Sequence, residues 1–164
     1  MRSLIILTCL LSLAGCAKPF QPVPPAYKSW LKPNVSELDV KKALLECGKP
    51  SPRPSVNSYK YAFGLEEPDE LLDMILKTNA CMENIGYKRP RGYYTVAQYC
   101  SWDRHKHLPA CQPVAEILEP SVERRLNSWW CKIKTDYEYC KQHAVNPAAC
   151  NPEGYKKPPP ECLP

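Results

Sequence analysis

The residues best suited to chemistry are two cysteines and two histidines within one short segment. Their order is Cys100, His105, His107 and Cys111, a C-x4-H-x-H-x3-C arrangement. Thiolate and imidazole groups are the usual ligands of zinc, so four such side chains could hold one ion. In an oxidising compartment, however, thiols usually pair before they meet metal, and this spacing matches no common zinc motif. We therefore expect a Cys100–Cys111 disulfide with exposed histidines, and no metal or other cofactor.

The same segment contains the closest approach to an acid–base pair, Asp103 and His105. Hydrolysis also needs a nucleophile, and the common serine hydrolases place it in a G-x-S-x-G turn. No such turn occurs in the sequence, and Arg104 and Lys106 indicate an exposed, charged segment. The acidic residues at 66, 67, 69 and 70 suit a helix start better than glycoside hydrolysis. These observations argue against an enzyme, and a small envelope hydrolase stays as an alternative.

The first sixteen residues have the organisation of a bacterial export signal. An apolar run over residues 4–13 follows a basic residue and is too short to span a bilayer. The sequence Leu13-Ala14-Gly15-Cys16 resembles the lipobox of bacterial lipoproteins. That resemblance implies cleavage between Gly15 and Cys16 and a diacylglyceryl thioether on Cys16, usually with a further acyl chain such as palmitate. Two or three chains hold a protein on a membrane almost permanently, so residues 1–15 are interpreted as a signal peptide and Cys16 as an anchor.

The segment after Cys16 bears on location and on distance from the membrane. In the lipoproteins that this chain resembles, aspartate after the cysteine favours the inner membrane; here the residue is Ala17, which implies the outer membrane. Prolines stand at 19, 22, 24, 25 and 33. Such a stretch favours polyproline II, which rises about 3.1 Å per residue. Residues 16–33 are therefore predicted to be a lipidated, semi-rigid tether, with the folded part in the periplasm or at the cell surface.

Cysteine content predicts how the folded part is stabilised. The chain of 164 residues has 10 cysteines, of which Cys9 would leave with the signal and Cys16 would carry lipid. An even set of eight remains, which in an exported protein indicates up to four disulfides in any of 105 pairings. Phenylalanine occurs only twice, so disulfides and other aromatic residues must replace part of the core. The eight candidates are Cys47, Cys81, Cys100, Cys111, Cys131, Cys140, Cys150 and Cys162.

The charge balance gives no sign of a nucleic-acid partner. The formal net charge of the whole chain is +5, and the basic residues are spread without a long run. Mild attraction to anionic lipid or glycan is the most that such a surface indicates. We expect no nucleic acid among its partners.

Two amphipathic helices are predicted in the region 34–92. Ser36 and Asp39 can form a capping box, which predicts a first helix over 37–47. A second helix should begin at Pro68 and end at Gly86, with an apolar face that includes Leu72, Ile75, Leu76 and Met82. Each helix carries a cysteine near its carboxyl end and is followed by a glycine. We therefore predict that Cys47 pairs with Cys81.

A second, more local resemblance covers about residues 30–90. The stretch Glu46-Cys47-Gly48-Lys49-Pro50, with Cys81 to Tyr87, resembles small uncharacterised lipoproteins of Gram-negative bacteria and their prophages. No reaction or ligand is attached to that pattern. The resemblance consequently implies a kind of protein and no activity.

The region 93–164 contains the clearest helical periodicity and an irregular tail. Apolar residues at 122, 126, 129, 133, 137 and 140 predict one core helix from Pro120 to His143. On such a helix Cys131 and Cys140 lie on opposite sides, so they cannot pair. Cys131 needs a partner from the Cys150 to Cys162 tail. The expected fold is mainly α, a small disulfide-stabilised helical domain with an irregular Cys/Pro-rich carboxyl-terminal tail.

Aromatic residues carry the remaining functional hypothesis. The chain has four tryptophans and ten tyrosines, residue types that are enriched at interfaces. We predict binding through Tyr93, Tyr94, Trp102 and Trp130, although burial of Trp130 with its neighbour by the tail is the alternative. The predicted function is a membrane-anchored, noncatalytic binding or structural module, with an envelope protein or a glycan as partner. An inhibitor of a hydrolase or a phage-exclusion lipoprotein is a further alternative.

Overall fold

Short helices joined by tight turns make up most of the structure, a computed structural model that describes residues 24–53, 57–65 and 67–164. Within those residues the only extended pairing is an isolated antiparallel bridge between Leu31 and Lys88, and no helix is long and apolar enough to cross a membrane. The mainly α prediction is confirmed. The α-helices are α1 Glu37–Glu46, α2 Asn57–Phe63, α3 Pro68–Asn84, α4 Val96–Cys100, α5 Val122–Leu126, α6 Trp129–Thr135, α7 Tyr137–His143 and α8 Pro152–Tyr155. The 3-10 turns are Ala26–Ser29, Asp103–His105, Pro109–Cys111, Pro147–Ala149 and Pro160–Cys162.

Helix α1 begins at the predicted capping box. The Asp39 N–H donates to Ser36 Oγ at 3.2 Å, and the Ser36 N–H donates to the Asp39 carboxylate at 2.8 Å. Two backbone donors that no helical carbonyl can reach are thereby satisfied. Hydrogen bonding to the ionised carboxylate lowers the pKa of Asp39, first through the Ser36 hydroxyl and then through its backbone N–H.

Helices α1 and α3 end in the same way, on a glycine in the left-handed region. Gly48 has φ +94° and Gly86 has φ +88°, values that other residues adopt only with strain. In each case the N–H of the next residue returns to a carbonyl of the last helical turn, that of Leu44 at 2.9 Å or that of Met82 at 3.0 Å. These are Schellman endings, and they turn the chain sharply directly after Cys47 and one helical turn after Cys81.

The described residues contain four disulfides, and every one of the eight cysteines predicted to oxidise takes part. Their Cα–Cα distances run from 5.2 to 5.8 Å, within the ordinary range. The predicted Cys47–Cys81 and Cys100–Cys111 pairs are confirmed. The prediction that Cys131 pairs with a cysteine of the tail is also confirmed. The pairs are Cys47–Cys81, Cys100–Cys111, Cys131–Cys162 and Cys140–Cys150.

Three of these disulfides lie in apolar clusters and form part of the core. The first cluster joins Trp30, Leu44 and Met82 around the Cys47–Cys81 bond. The second places Leu45 against the Cys131–Cys162 bond, and the third places Ile133 against the Cys140–Cys150 bond. Because Leu44 and Leu45 are adjacent on α1, that helix separates two clusters and packs on both.

A buried arginine joins α1, α5 and the tail. Arg125 is 2% exposed, and its Nε donates to the Glu46 carboxylate at 2.9 Å. Its Nη1 donates to the carbonyl oxygens of Glu161, at 2.8 Å, and Leu163. A buried charge requires such partners, because leaving it unpaired out of water is costly. Through Arg125 the predicted regions 34–92 and 93–164 are held against each other.

The single helix predicted from Pro120 to His143 is wrong, because the segment is three helices. Ser128 Oγ accepts from the Cys131 N–H at 3.3 Å, and Asp136 Oδ1 accepts from the Tyr139 N–H at 2.9 Å. Each side chain starts a new helix by satisfying a backbone donor that a continuous helix would have paired with a carbonyl. The predicted core stripe is therefore interrupted: Ile133 and Cys140 are buried, whereas Val122 and Leu126 are 51% and 36% exposed.

The predicted tether is also too long. It was expected to reach residue 33, but the chain turns into a 3-10 helix at Ala26–Ser29, and Trp30 is only 4% exposed in the first cluster. Apolar residues at 26, 27 and 30 pack on α1 and draw the chain into the fold. Helices α2 and α4 were not predicted, although Thr95 and Gln98 have the capping-box spacing that marks the start of α4. The proposed cleavage site, Cys16 and residues 16–23 of the tether lie outside the described residues.

Replacing Arg125 should destabilise the fold more than replacing an exposed arginine. Arg125→Met removes the bonds to Glu46 and to two tail carbonyls, and the lone carboxylate remains one-fifth exposed. We expect the free energy of unfolding to fall by about 3 kcal/mol, the lower end for a broken buried ion pair. Urea denaturation measures it. Arg91→Met, at an exposed position, should cost less than about 0.5 kcal/mol, and equal losses would contradict the role of Arg125.

Candidate functional site

The aromatic cluster, defined here as Tyr94, Tyr99, Trp102 and His105, lies on α4 and on the segments just before and after it. The rings of Tyr94 and Trp102 meet edge to face with centroids 4.9 Å apart. Tyr99 is tilted against Trp102 at 5.2 Å and stacks on His105 at 5.7 Å. Such distances are within the favourable range for aromatic pairs, so the four rings support one another.

Local bonds explain why these rings come together. Thr95 and Gln98 form a second capping box that begins α4, with the Thr95 N–H donating to the Gln98 side-chain oxygen at 2.8 Å. The His105 Nδ1–H donates to the Tyr99 carbonyl oxygen at 3.1 Å, which fixes the imidazole beneath the rings. The Cys100–Cys111 disulfide then closes the loop that carries Trp102 and His105.

Two carboxylates of helix α3 hold the backbone of this loop in place. The Glu83 carboxylate accepts from the Val96 N–H at 3.1 Å, and the Asp73 carboxylate accepts from the Ala110 N–H at 2.6 Å. Burial raises the pKa of Glu83, and the hydrogen bond from the Val96 backbone acts in the opposite direction. Both carboxylates thus hold loop backbone in place and lie beneath the aromatic cluster.

The outer face of the cluster opens on a groove of about 360 Å³. Tyr93 and Tyr94 line it and are 43% and 51% exposed. Arg89 forms one wall: it donates to the Asn79 side-chain oxygen at 2.7 Å, and its guanidinium lies 5.6 Å from the Tyr93 ring centroid. Burial lowers the pKa of Arg89. The groove therefore combines two exposed rings with one fixed cation, a surface suited to noncovalent binding.

Three of the four predicted binding residues share this part of the molecule, and Trp130 does not. The Trp130 indole N–H donates to the Glu161 carboxylate of the tail at 3.0 Å, and its ring lies near Arg53 and Lys134. It packs against the Cys131–Cys162 cluster. The structure thus favours the alternative in which the tail partly covers Trp130.

The histidines differ from the sequence prediction, which expected both to be exposed. His105 is only 9% exposed because the aromatic cluster covers it, whereas His107 is exposed and lies 2.8 Å from the Asp69 carboxylate. Asp103 pairs with Lys106 at 2.6 Å, so the sequence neighbours Asp103 and His105 have separate partners. Cys100 and Cys111 form a disulfide, and no metal-binding group of His, Cys, Asp or Glu occurs in the described part of the chain.

A second cavity, of about 470 Å³, lies at the carboxyl end of α1 and was not predicted from the sequence. We call it the Lys49 cavity; its walls come from the end of α1, from α2, and from α3 and α5 to α7. No regular spacing connects these segments, so the cavity had no signal in the sequence. Its described lining residues are Leu45, Gly48, Lys49, Pro50, Ala62, Phe63, Met74, Leu118, Arg124, Asn127, Ser128, Trp129, Lys132 and Tyr139.

Lys49 is the unusual titrating group of this cavity. Burial, and to a smaller extent the Arg89 cation, lowers its pKa to about 8. Its Nζ lies 3.4 Å from the Tyr59 hydroxyl and 5.1 Å from the ring centroid. Burial in turn raises the pKa of Tyr59 to about 12. The Schellman turn at Gly48 places Lys49 here, directly after the end of α1.

Comparison with known proteins adds no relative. No protein-family model matches the chain, and no curated sequence or solved structure does so.

Lys49 should make stability depend on pH in the alkaline range. Its pKa is about 8 when folded and near 10.5 when unfolded, so between these values the unfolded chain binds more protons and stability rises with pH. Lys49→Met should be more stable than wild type at pH 7, and this advantage should shrink by about 2 kcal/mol by pH 9.5. Urea denaturation at both pH values measures the change. A difference that stays constant with pH would contradict the lowered pKa.

Proposed function

We propose that this chain is an outer-membrane lipoprotein, anchored through Cys16, that acts as a noncatalytic binding module. The support for the anchor is the sequence Leu13-Ala14-Gly15-Cys16 behind a basic and apolar leader. Export also agrees with the eight paired cysteines, since disulfides persist in oxidising compartments. The described domain would be held near the membrane by a short Pro-rich tether that ends near Ala26.

The observation that carries the binding proposal is the exposed edge of the aromatic cluster. Tyr94 is about half exposed while its ring is held against Trp102, and Tyr93 borders the same groove. Tyrosine and tryptophan bring a large contact area at a low entropy cost, and they dominate binding energy at interface hot spots. Rings already fixed in place lose little freedom when a partner binds.

The charges around the aromatic cluster limit the chemical class of partner that it can bind. The Arg104 guanidinium lies 4.9 Å from the Trp102 ring centroid, and Arg89 forms the groove wall beside Tyr93. Two arginines among exposed rings suit a partner that offers flat apolar surface with acceptor or acidic groups. An envelope protein or an envelope glycan has this chemistry.

The absence of an assembled acid–base pair supports a noncatalytic role. Asp103 is bound to Lys106, and the Nδ1–H of His105 is bound to a backbone carbonyl. General acid–base catalysis needs a titrating group within hydrogen-bond reach of the substrate. Among the described residues of this loop, Asp103 and His105 therefore bond to other groups and not to each other.

Cys16→Ser should release the protein from the membrane. Without the thiol no thioether can form, so the variant should leave the detergent phase while wild type stays in it. Mass spectrometry of the amino-terminal peptide should show acyl mass on wild type alone. If both proteins partition alike and neither carries acyl mass, the anchor proposal fails.

Removing an exposed ring should weaken partner capture and leave the fold intact. Truncation at a hot spot costs about 2 kcal/mol or more, so Tyr94→Ala or Trp102→Ala should reduce capture at least about tenfold. Mild crosslinking in the native cell envelope followed by quantitative mass spectrometry measures it, with circular dichroism to check folding. Val145→Ala is the control, because Val145 is 58% exposed and lines neither the groove nor the Lys49 cavity. Equal capture by all variants would exclude the aromatic cluster as the binding surface.

A further inference from the structure

The Lys49 cavity has charged groups of one sign only. Lys49, Arg124 and Lys132 line it, and no described lining residue is Asp or Glu. None of the three is in an ion pair with a carboxylate in the described part of the chain. Arg124 donates to the carbonyl oxygens of Glu46 and Glu119, at 2.6 and 2.8 Å, which keeps its charge beside the cavity. The cavity is therefore electropositive.

A tryptophan also lines this cavity. Trp129 starts α6, and the backbone N–H of the neighbouring Trp130 donates to the Pro50 carbonyl at 3.1 Å. That bond places the start of α6 beside the segment that carries Lys49. The indole N–H of Trp129 is itself buried and has no acceptor among the described residues, so its ring serves the cavity as a wall and as a spectroscopic reporter.

The remaining wall is apolar. Leu45 and Met74 come from α1 and α3, Leu118 from the segment before α5, and Phe63 from the end of α2. The volume of about 470 Å³ lies within the range of small-molecule sites, which combine apolar walls with a few polar groups. The cavity accordingly has space for an apolar body as well as for a charged head.

We propose that the Lys49 cavity binds a small amphipathic anion, with its negative head among Lys49, Arg124 and Lys132 and its apolar part against Phe63 and Leu118. An anion supplies the counter-charge that the described lining lacks. A cation would meet three like charges, and a neutral apolar ligand would leave all three charges without a partner. Burial lowers the pKa of Lys49, and an anion beside it would raise that pKa again. This site is separate from the aromatic cluster, so it does not depend on the proposed partner.

Octanoate is the probe, and the indole signals of the four tryptophans are the readout. In the ¹⁵N-labelled, oxidised full chain, the signal lost in Trp129→Phe identifies Trp129. Octanoate should shift that signal in a saturable manner. Octanol, with the same chain and no charge, should bind at least about tenfold more weakly, because it cannot replace the missing counter-charge.

Matched variants separate the charge from the fold. Lys49→Met should weaken octanoate binding at least about fivefold and leave octanol binding unchanged, whereas Lys88→Met, at an exposed position outside the cavity, should change neither. If Lys49→Met does not fold, Lys132→Met carries the same expectation. Tyr94→Ala should leave octanoate binding intact, which distinguishes this proposal from the proposed partner surface.

Four outcomes would overturn the proposal. Octanol could bind as tightly as octanoate, which would indicate an apolar cavity without an anion site. Acetate or inorganic phosphate could shift the Trp129 signal equally well, which would indicate an adventitious ion only. Octanoate could move the signals of the other tryptophans and not that of Trp129, or it could move none.

Discussion

The buried Arg125 is the constraint on which the arrangement of the helices depends. Its guanidinium is almost fully removed from water, so its charge and donors must be met inside the protein. Glu46 at the end of α1 supplies the charge, and tail carbonyls supply acceptors. The side chain thus fixes where α1, α5 and the tail lie, and α1 in turn packs on the first two disulfide clusters. The need to pair one buried cation therefore determines where α1, α5 and the tail lie relative to one another.

The two candidate sites differ in how they are built. The aromatic cluster is local, formed by one loop that a disulfide closes and that two carboxylates of α3 support. The Lys49 cavity is formed between segments that Arg125 and the disulfides bring together, so its shape depends on the whole fold. A change distant in the sequence, such as one in the tail, would be expected to affect the cavity more than the cluster.

Short-range signals made part of this structure predictable. The capping box at Ser36 and the glycines after α1 and α3 act within four or five residues, so neighbouring residues alone were enough to predict these helix ends. The helix breaks at Ser128 and Asp136 were missed because the apolar periodicity continues across them. At each break a side-chain cap competes with a continuous helix for the same backbone donor, and periodicity does not show which of the two forms. The Tyr93, Tyr94 and Trp102 grouping followed from proximity in sequence. Trp129 and Lys49 share a wall only in three dimensions, so no pattern could connect them.

The order of the cysteines has a consequence for how the disulfides form. Cys47 and Cys81, and then Cys100 and Cys111, are successive cysteines, so when the chain enters an oxidising compartment amino end first, each pair is complete before the next cysteine arrives. The Cys140–Cys150 pair instead lies inside the span of Cys131–Cys162, and Cys131 must wait 31 residues for its partner. Cys140 and Cys150, which are wrong partners for Cys131, follow it before Cys162 does. Correction by thiol–disulfide exchange is therefore concentrated in the last third of the chain, after the loop beneath the aromatic rings can already have closed.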